Sequence, residues 1–248
     1  PAELRIRDLA TGAERVLAPA ARSYSEDRAV VWLNPGELAY IDGTGRTLRL
    51  ELATGKTAPL LDEPRPDGGY LVDATLRHAT TGSPTFSPYD AATRRVEPRT
   101  VLGGCQPYFS ADGRSGYWMA GAGGPLNRID LATRKVVRTI KVGDRPRGIH
   151  ALVRGDRVLV ALSDDQPNVE GGGDAIAELS LADGRVLRRH RAGTDPEQFA
   201  LLPGDARLYA TNEDAGTASA YDLRTGRAVA TLVVGIEPEG VAASPDGR

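Results

Sequence analysis

Residues 193–234 read GTDPEQFALLPGDARLYATNEDAGTASAYDLRTGRAVATLVV. Four short runs stand out: EQFALL, ARLYATN, ASAYDL and AVATLVV. Each is rich in β-branched, aromatic or small apolar residues. Between them fall LPGD, NEDAG and LRTG, made of residues that tolerate tight turns. Helical periodicity is not sustained across the window. The stretch predicts four antiparallel strands in sequence order.

The same unit recurs along the chain. An acidic or polar residue opening a short turn appears at Asp8 (DLATG), Glu51 (ELATG), Asp90 (DAATR), Asp130 (DLATR), Ser180 (SLADG) and Asp222 (DLRTG), spaced 43, 39, 40, 50 and 42 residues apart. A Gly-x-x-Pro anchor repeats at Gly104–Pro107, Gly143–Pro146, Gly193–Pro196 and Gly235–Pro238, spaced 39, 50 and 42. Tight turns at 34–37 (NPGE), 110–113 (SADG), 153–156 (VRGD), 202–205 (LPGD) and 244–247 (SPDG) form a third series. A four-stranded unit of about 40–45 residues is a β-propeller blade. One such sheet cannot bury both of its faces alone, and radial stacking covers them. The sequence therefore predicts an all-β propeller occupying residues 1–248 as a single domain. Five units lie between Asp8 and Asp222. A sixth, composite blade is expected from the two termini, with LRIRDLATGAERVL giving outer strands and EGVAASPDGR an inner one. Seven blades are expected if the native chain is longer. The closing SPDG turn suggests a fragment or a ring closed by its ends. Residues 62–88 are too short and irregular for a full blade, which predicts a degenerate unit.

Composition narrows the function. The 248 residues carry 31 basic and 33 acidic side chains, a formal charge of −2, which argues against a strongly basic nucleic-acid binder or a polybasic membrane anchor. No apolar run approaches the length of a spanning helix. One cysteine, Cys105, leaves no internal disulfide and no Cys-rich metal site, and without an adjacent base it reads as an inert residue. The basic residues are 28 Arg against 3 Lys, with no stripe among them, so the excess reads as compositional bias. Aromatic residues at 5% give no stacking platform for single-stranded nucleic acid. There is no G-x-S-x-G elbow, phosphate loop or dinucleotide loop. Trp32 and Trp118 fall in strands and are expected between blades. His190, after two arginines in an outer strand, is expected at the surface.

In a propeller, the loops entering each first strand and those joining second to third strands open on one face. That places Asp144, Arg145, Arg147, Asp195, Glu197, Glu237 and Glu239 around one mouth of the central channel, with His150 further along its strand. Such a mixed-charge mouth suits a polar ligand. Arg147 and Glu197 follow Pro at the same position in adjacent blades, where they either pair across the blade boundary or together orient a zwitterionic or hydroxylated ligand. Relative to the last blade, an insertion of about eight residues falls between Ser163 and Ala175 and opens on the same face. Its Asp164, Asp165, Asn168, Glu170 and Asp174 are hard oxygen donors beside flexible glycines, a candidate Ca²⁺ loop without EF-hand spacing. No other cofactor is evident.

Residues 208–248, LYATN…AYDLRTGRAVATLVVGIEPEGVAASPDGR, resemble the YVTN-type β-propeller repeat, with Tyr209-Ala210-Thr211-Asn212 in the place of its name-giving box. Residues 104–142 are a looser match. LAYID at 38–42 and ELATG at 51–55 look more like the related TolB-type, WD40-like repeats. The resemblance implies a bacterial protein exported to the periplasm or beyond. The repeat, the balanced charge and the absence of a complete catalytic constellation point to a non-catalytic scaffold binding a protein or small polar ligand at one propeller face. The alternative that the resemblance implies is an enzyme acting at the channel mouth, lactonase-like or a quinone-dependent dehydrogenase subunit. Glu197, Glu239 and His150 would then be its acid–base candidates.

Overall fold

The computed structural model describes residues 2–7, 11–21, 30–61, 71–72, 76–80, 85–97, 100–101, 108–110, 112–120, 124–142, 145–152, 155–163 and 173–247. They form an all-β protein, with no helix among the described residues and hence none able to cross a membrane. The chain divides into two compact units, residues 1–100 and 101–248.

The first unit opens with β1 (Ala2–Arg7) paired to β2 (Glu14–Ala21), and continues with a four-stranded sheet of β3 (Val30–Asn34), β4 (Glu37–Ile41), β5 (Thr47–Glu51) and β6 (Thr57–Pro59). A sheet of short strands follows: β7 (Leu71–Val72), β8 (His78–Thr80), β9 (Thr85–Asp90), β10 (Arg95–Val96) and β11 (Thr100–Val101), with β10 and β11 both pairing β9. This is the degenerate stretch expected from the sequence. Ala18, Leu38, Tyr40 and Leu50 form one core cluster, and Ala39, Leu60 and Tyr89 form another.

The second unit is three successive four-stranded meanders. These are β12 (Tyr108–Phe109), β13 (Ser115–Met119), β14 (Leu126–Asp130) and β15 (Lys135–Ile140), then β16 (Pro146–Ala151), β17 (Arg157–Leu162), β18 (Ala175–Ser180) and β19 (Val186–Arg191), then β20 (Pro196–Leu201), β21 (Arg207–Asn212), β22 (Thr217–Asp222) and β23 (Arg227–Val233). The first strands neighbour one another: β16 lies against β12 on one side and β20 on the other. The apolar run of β17 follows from this stacking. Side chains alternate across a strand, so Val158, Val160 and Leu162 pack toward Tyr117, Met119 and Leu126 of the preceding sheet. Leu159 and Ala161 point the other way, to Phe199, Leu208 and Tyr221. These are propeller blades.

Among the described residues, four complete four-stranded blades are present rather than six or seven. Among the described residues no composite blade is seen: residues 238–247 join no ladder, and β1 and β2 form a two-stranded sheet with a bridge from Ala21 to Asp42. A lone extended segment leaves its N–H and C=O groups without strand partners, so it has little to hold it as a strand.

The repeated turns hold the blades together. Their fifth residue takes the left-handed conformation in every copy, at Gly12, Gly55, Arg94, Arg134, Gly184 and Gly226. The opening aspartate accepts bonds from the turn threonine, as Asp130 does from Thr133 N (2.7 Å) and Asp222 from Thr225 N (2.7 Å). Arginines of outer strands then reach forward to a carbonyl in the next sheet's turn. Arg188 Nη1 donates to Leu223 O at 3.1 Å, Arg138 Nη2 donates to Ala182 O, and Arg15 Nη2 donates to Leu52 O at 2.5 Å. These arginines are structural, which composition alone did not reveal. His190 is also not where the sequence put it. It is 1% exposed, packed near Tyr221 with Nε2 4.0 Å from Glu178 Oε2. Charged neighbours made its strand look solvated, while its own side chain turns inward. Trp118 is buried, as expected.

Candidate functional site

The site is built from equivalent positions of two adjacent blades. Arg145 precedes β16 as Asp195 precedes β20. Arg147 and Glu197 are the second residues of those strands, and Ser163 and Glu213 directly follow β17 and β21. The register is the same in both blades: Pro146 pairs with Leu162, and Pro196 with Asn212. Ser163 N donates to Arg145 O at 3.2 Å, as Glu213 N donates to Asp195 O at 2.8 Å. One blade thus presents Arg, Arg and Ser where the next presents Asp, Glu and Glu.

Two features bring these sets together. Gly148 allows β16 to approach β20, for a Cβ there would lie 2.9 Å from Glu197 O. The residue before each loop proline also takes a positive φ: 38° at Arg145, 55° at Asp195 and 47° at Glu237. Such a backbone costs a non-glycine residue about 1–2 kcal/mol, so the rest of the loop must hold it.

Across the boundary, Arg145 Nη1 lies 3.1 Å from both Asp195 oxygens and 2.9 Å from Ser163 Oγ, which itself donates to Asp195 Oδ1. Arg147 Nε lies 2.9 Å from Glu197 Oε1, one of the two arrangements that the equal positions of these residues allow. Both atoms are shielded from water, yet they are not aligned as a hydrogen bond. Glu197 is 8% exposed. Burial pushes its carboxyl up to about 7 against the pull of Arg147, helped by a hydrogen bond with Glu213 and the nearby Asp195 charge. Oxygens of Asp195, Glu197 and Glu213 lie within 4.8 Å of one another. That spacing is within reach of a cation, but two of the three carboxylates already face guanidinium groups.

The other expected residues are placed differently. His150 packs between sheets, its ring 4.4 Å from that of Tyr108 and 6.3 Å from Phe199, with Nε2 3.1 Å from Tyr108 Oη. Glu239 is tied through its carbonyl, which accepts from Thr211 Oγ1 at 2.8 Å. Asp144, Asp164, Asp165, Asn168, Glu170 and Cys105 lie outside the described residues. Asp174 is described just before β18 and its carbonyl accepts from Ala192 N at 3.4 Å. The YATN box proves structural. Asn212 is fully buried, accepts from Gly193 N at 2.9 Å and donates to Ser219 Oγ at 2.9 Å. Glu213 and Ser163 are site residues the sequence reading passed over, although they follow the second strands whose loops open on this face.

No family model matches the chain, and no curated protein matches it. Solved structures do. A chain of the Mitotic Checkpoint Complex aligns with TM-score 0.66 and 13% identity, over 99% of this chain and 76% of that one. A chain of Kuenenia stuttgartiensis Hydrazine Synthase aligns with TM-score 0.56 and 15% identity, over 92% of each. At these identities the likeness establishes the β-propeller class, WD40-like in form, and nothing finer.

Proposed function

We propose that this protein is a binding scaffold, a propeller that takes a polar ligand or a protein segment where β16 and β20 begin. The observation that carries this reading is the opposed charge at equivalent positions: Arg145, Arg147 and Ser163 in one blade, Asp195, Glu197 and Glu213 in the next. Stability alone does not call for such an arrangement, because taking paired charges out of water costs about as much as their attraction returns. We further read residues 1–248 as one propeller, its channel mouth at this end, with repeats of YVTN and TolB character. Export to the periplasm or beyond, and Ca²⁺ held by the 164–174 loop, belong to the same reading.

The test is a thermal-shift and native-mass screen of charged small molecules. Arg147→Ala with Glu197→Ala should abolish the shifts seen with the unmodified protein. Arg185→Ala with Arg227→Ala, in the turns of the other end, should leave them intact. Equal loss in both pairs, or loss in the second pair alone, defeats the assignment.

A second reading is an enzyme acting at the same place. It is favoured by the Glu197–Glu213 carboxyl pair, because a group poised near neutrality can serve as acid and base.

A further inference from the structure

We propose that Asp195, Glu197 and Glu213, faced by Arg145 and Arg147, bind the ammonium group of a small organic amine. This rests on the reading of this end as the binding site and names the chemistry it would recognise.

Among the described residues, the charges at the site do not balance. Three carboxylates face two guanidiniums, and each guanidinium has its own partner: Arg145 sits on Asp195, and Arg147 beside Glu197. Among the described residues, no guanidinium lies within ion-pair distance of Glu213. Its carboxylate instead lies beside those of Asp195 and Glu197, with oxygens of the three within 4.8 Å of one another.

A separate observation points to a donor at the same place. Glu197 is more than nine-tenths buried, and its Oε1 has lost water without gaining an aligned hydrogen bond. A buried acceptor left so is costly. An incoming N–H donor on the Glu197 carboxylate would supply the missing bond.

The chemistry of the ammonium group fits both needs. It carries one positive charge, which is the deficit. It offers three N–H donors to three carboxylates. Three oxygens bonded to one tetrahedral nitrogen at about 2.8 Å lie about 4.6 Å apart, compatible with the observed limit of 4.8 Å. A divalent cation would overshoot the charge by one. It would also want six or more oxygen ligands. A quaternary ammonium has the charge but no donors.

The experiment is an NMR titration of the full chain at pH 8 with butylammonium chloride, set against tetramethylammonium chloride and calcium chloride. Saturable shifts at the Glu197 and Glu213 amides with butylammonium are expected, with the other two cations at least tenfold weaker. Glu213→Gln should weaken butylammonium at least tenfold, and Glu213→Asp should retain part of the binding. Melting curves of both variants establish that each is folded. Equal or tighter binding of calcium or tetramethylammonium overturns the proposal, as does wild-type affinity in Glu213→Gln or no response to butylammonium. The underlying reading fails separately. It falls when Arg147→Ala with Glu197→Ala leaves unchanged the binding of every probe that does bind, and it survives when that pair abolishes binding of a probe other than the amine.

Discussion

The blades β16–β19 and β20–β23 share one backbone plan and use it differently. In β17, five successive residues from Val158 to Leu162 are buried, because a neighbouring sheet covers each face. In the next blade's outer strand, β23, all seven residues are exposed, and Val233 is 90% exposed. At the ends of their first strands the two blades differ in another way: one is basic and the other acidic. The comparison shows that a residue's place in the repeat fixes its geometry, while its burden depends on what stands beside that blade. Stability is concentrated where sheets meet. Chemical individuality is concentrated where loops meet.

The strongest test of this contrast is truncation on the two sides. Leu159→Ala should cost about 2–5 kcal/mol, since the fully buried site cannot collapse between two sheets. Leu232→Ala in β23 should change stability by no more than about 0.5 kcal/mol. Urea denaturation of both variants measures the difference. Comparable losses would mean that β23 is covered in solution.

A middle-sized effect should appear in the pH dependence, where the acidic rim and the buried histidine act in opposite directions. The folded state keeps a proton on Glu197 up to about pH 7, whereas the unfolded chain releases it near 4.5. Its stabilising contribution is complete below pH 4.5 and is lost as pH rises through 7, on the order of 1–3 kcal/mol. Glu197→Gln should remove that decline. Burial lowers the proton affinity of His190, so its contribution is complete above about pH 6.5 and is lost as pH falls below that value. Denaturation at several pH values should resolve the two slopes. A Glu197→Gln protein that retains the decline between pH 4.5 and 7 would show that another group causes it.

The smallest effect concerns the bonds between sheets. Arg188→Ala removes one donor to Leu223 O and should cost about 0.5–1.5 kcal/mol. The equivalent position in the last blade is Ala230, because Ala230 pairs with Ala220 as Arg188 pairs with Glu178. Ala230→Arg should therefore give no matching gain. A clear stabilisation by Ala230→Arg would reveal a carbonyl within its reach.

Much of this was legible in the sequence because turns are written in residues with narrow conformational roles. The strand limits at 196–201, 207–212, 217–222 and 227–233 follow from LPGD, NEDAG and LRTG. The Arg147–Glu197 contact was one of the two arrangements allowed by equal spacing after Pro in two repeats. What could not be read was the identity of neighbours across a sheet boundary. Glu213 joins Glu197 through the pairing of β20 with β21, and Arg145 and Arg147 reach them from the adjoining sheet, whose approach Gly148 allows. His190 looked exposed because strand alternation gives the period but not the phase. The composite blade was inferred from fragments of the right kind, but pattern alone does not supply the pairing partner that an isolated strand needs.

The arginine bonds to the repeated turns have one more consequence. Each runs from a side chain to a main-chain oxygen, so the giving position must be arginine while the receiving position imposes no residue type. Leu52, Ala182 and Leu223 all serve. The linkage is also directional, from an earlier blade to a later one. Copies of such a unit can be duplicated, and the accepting residue can change type, without breaking the fastening. A protein fastened this way can lose nearly all recognisable sequence kinship and still keep its shape.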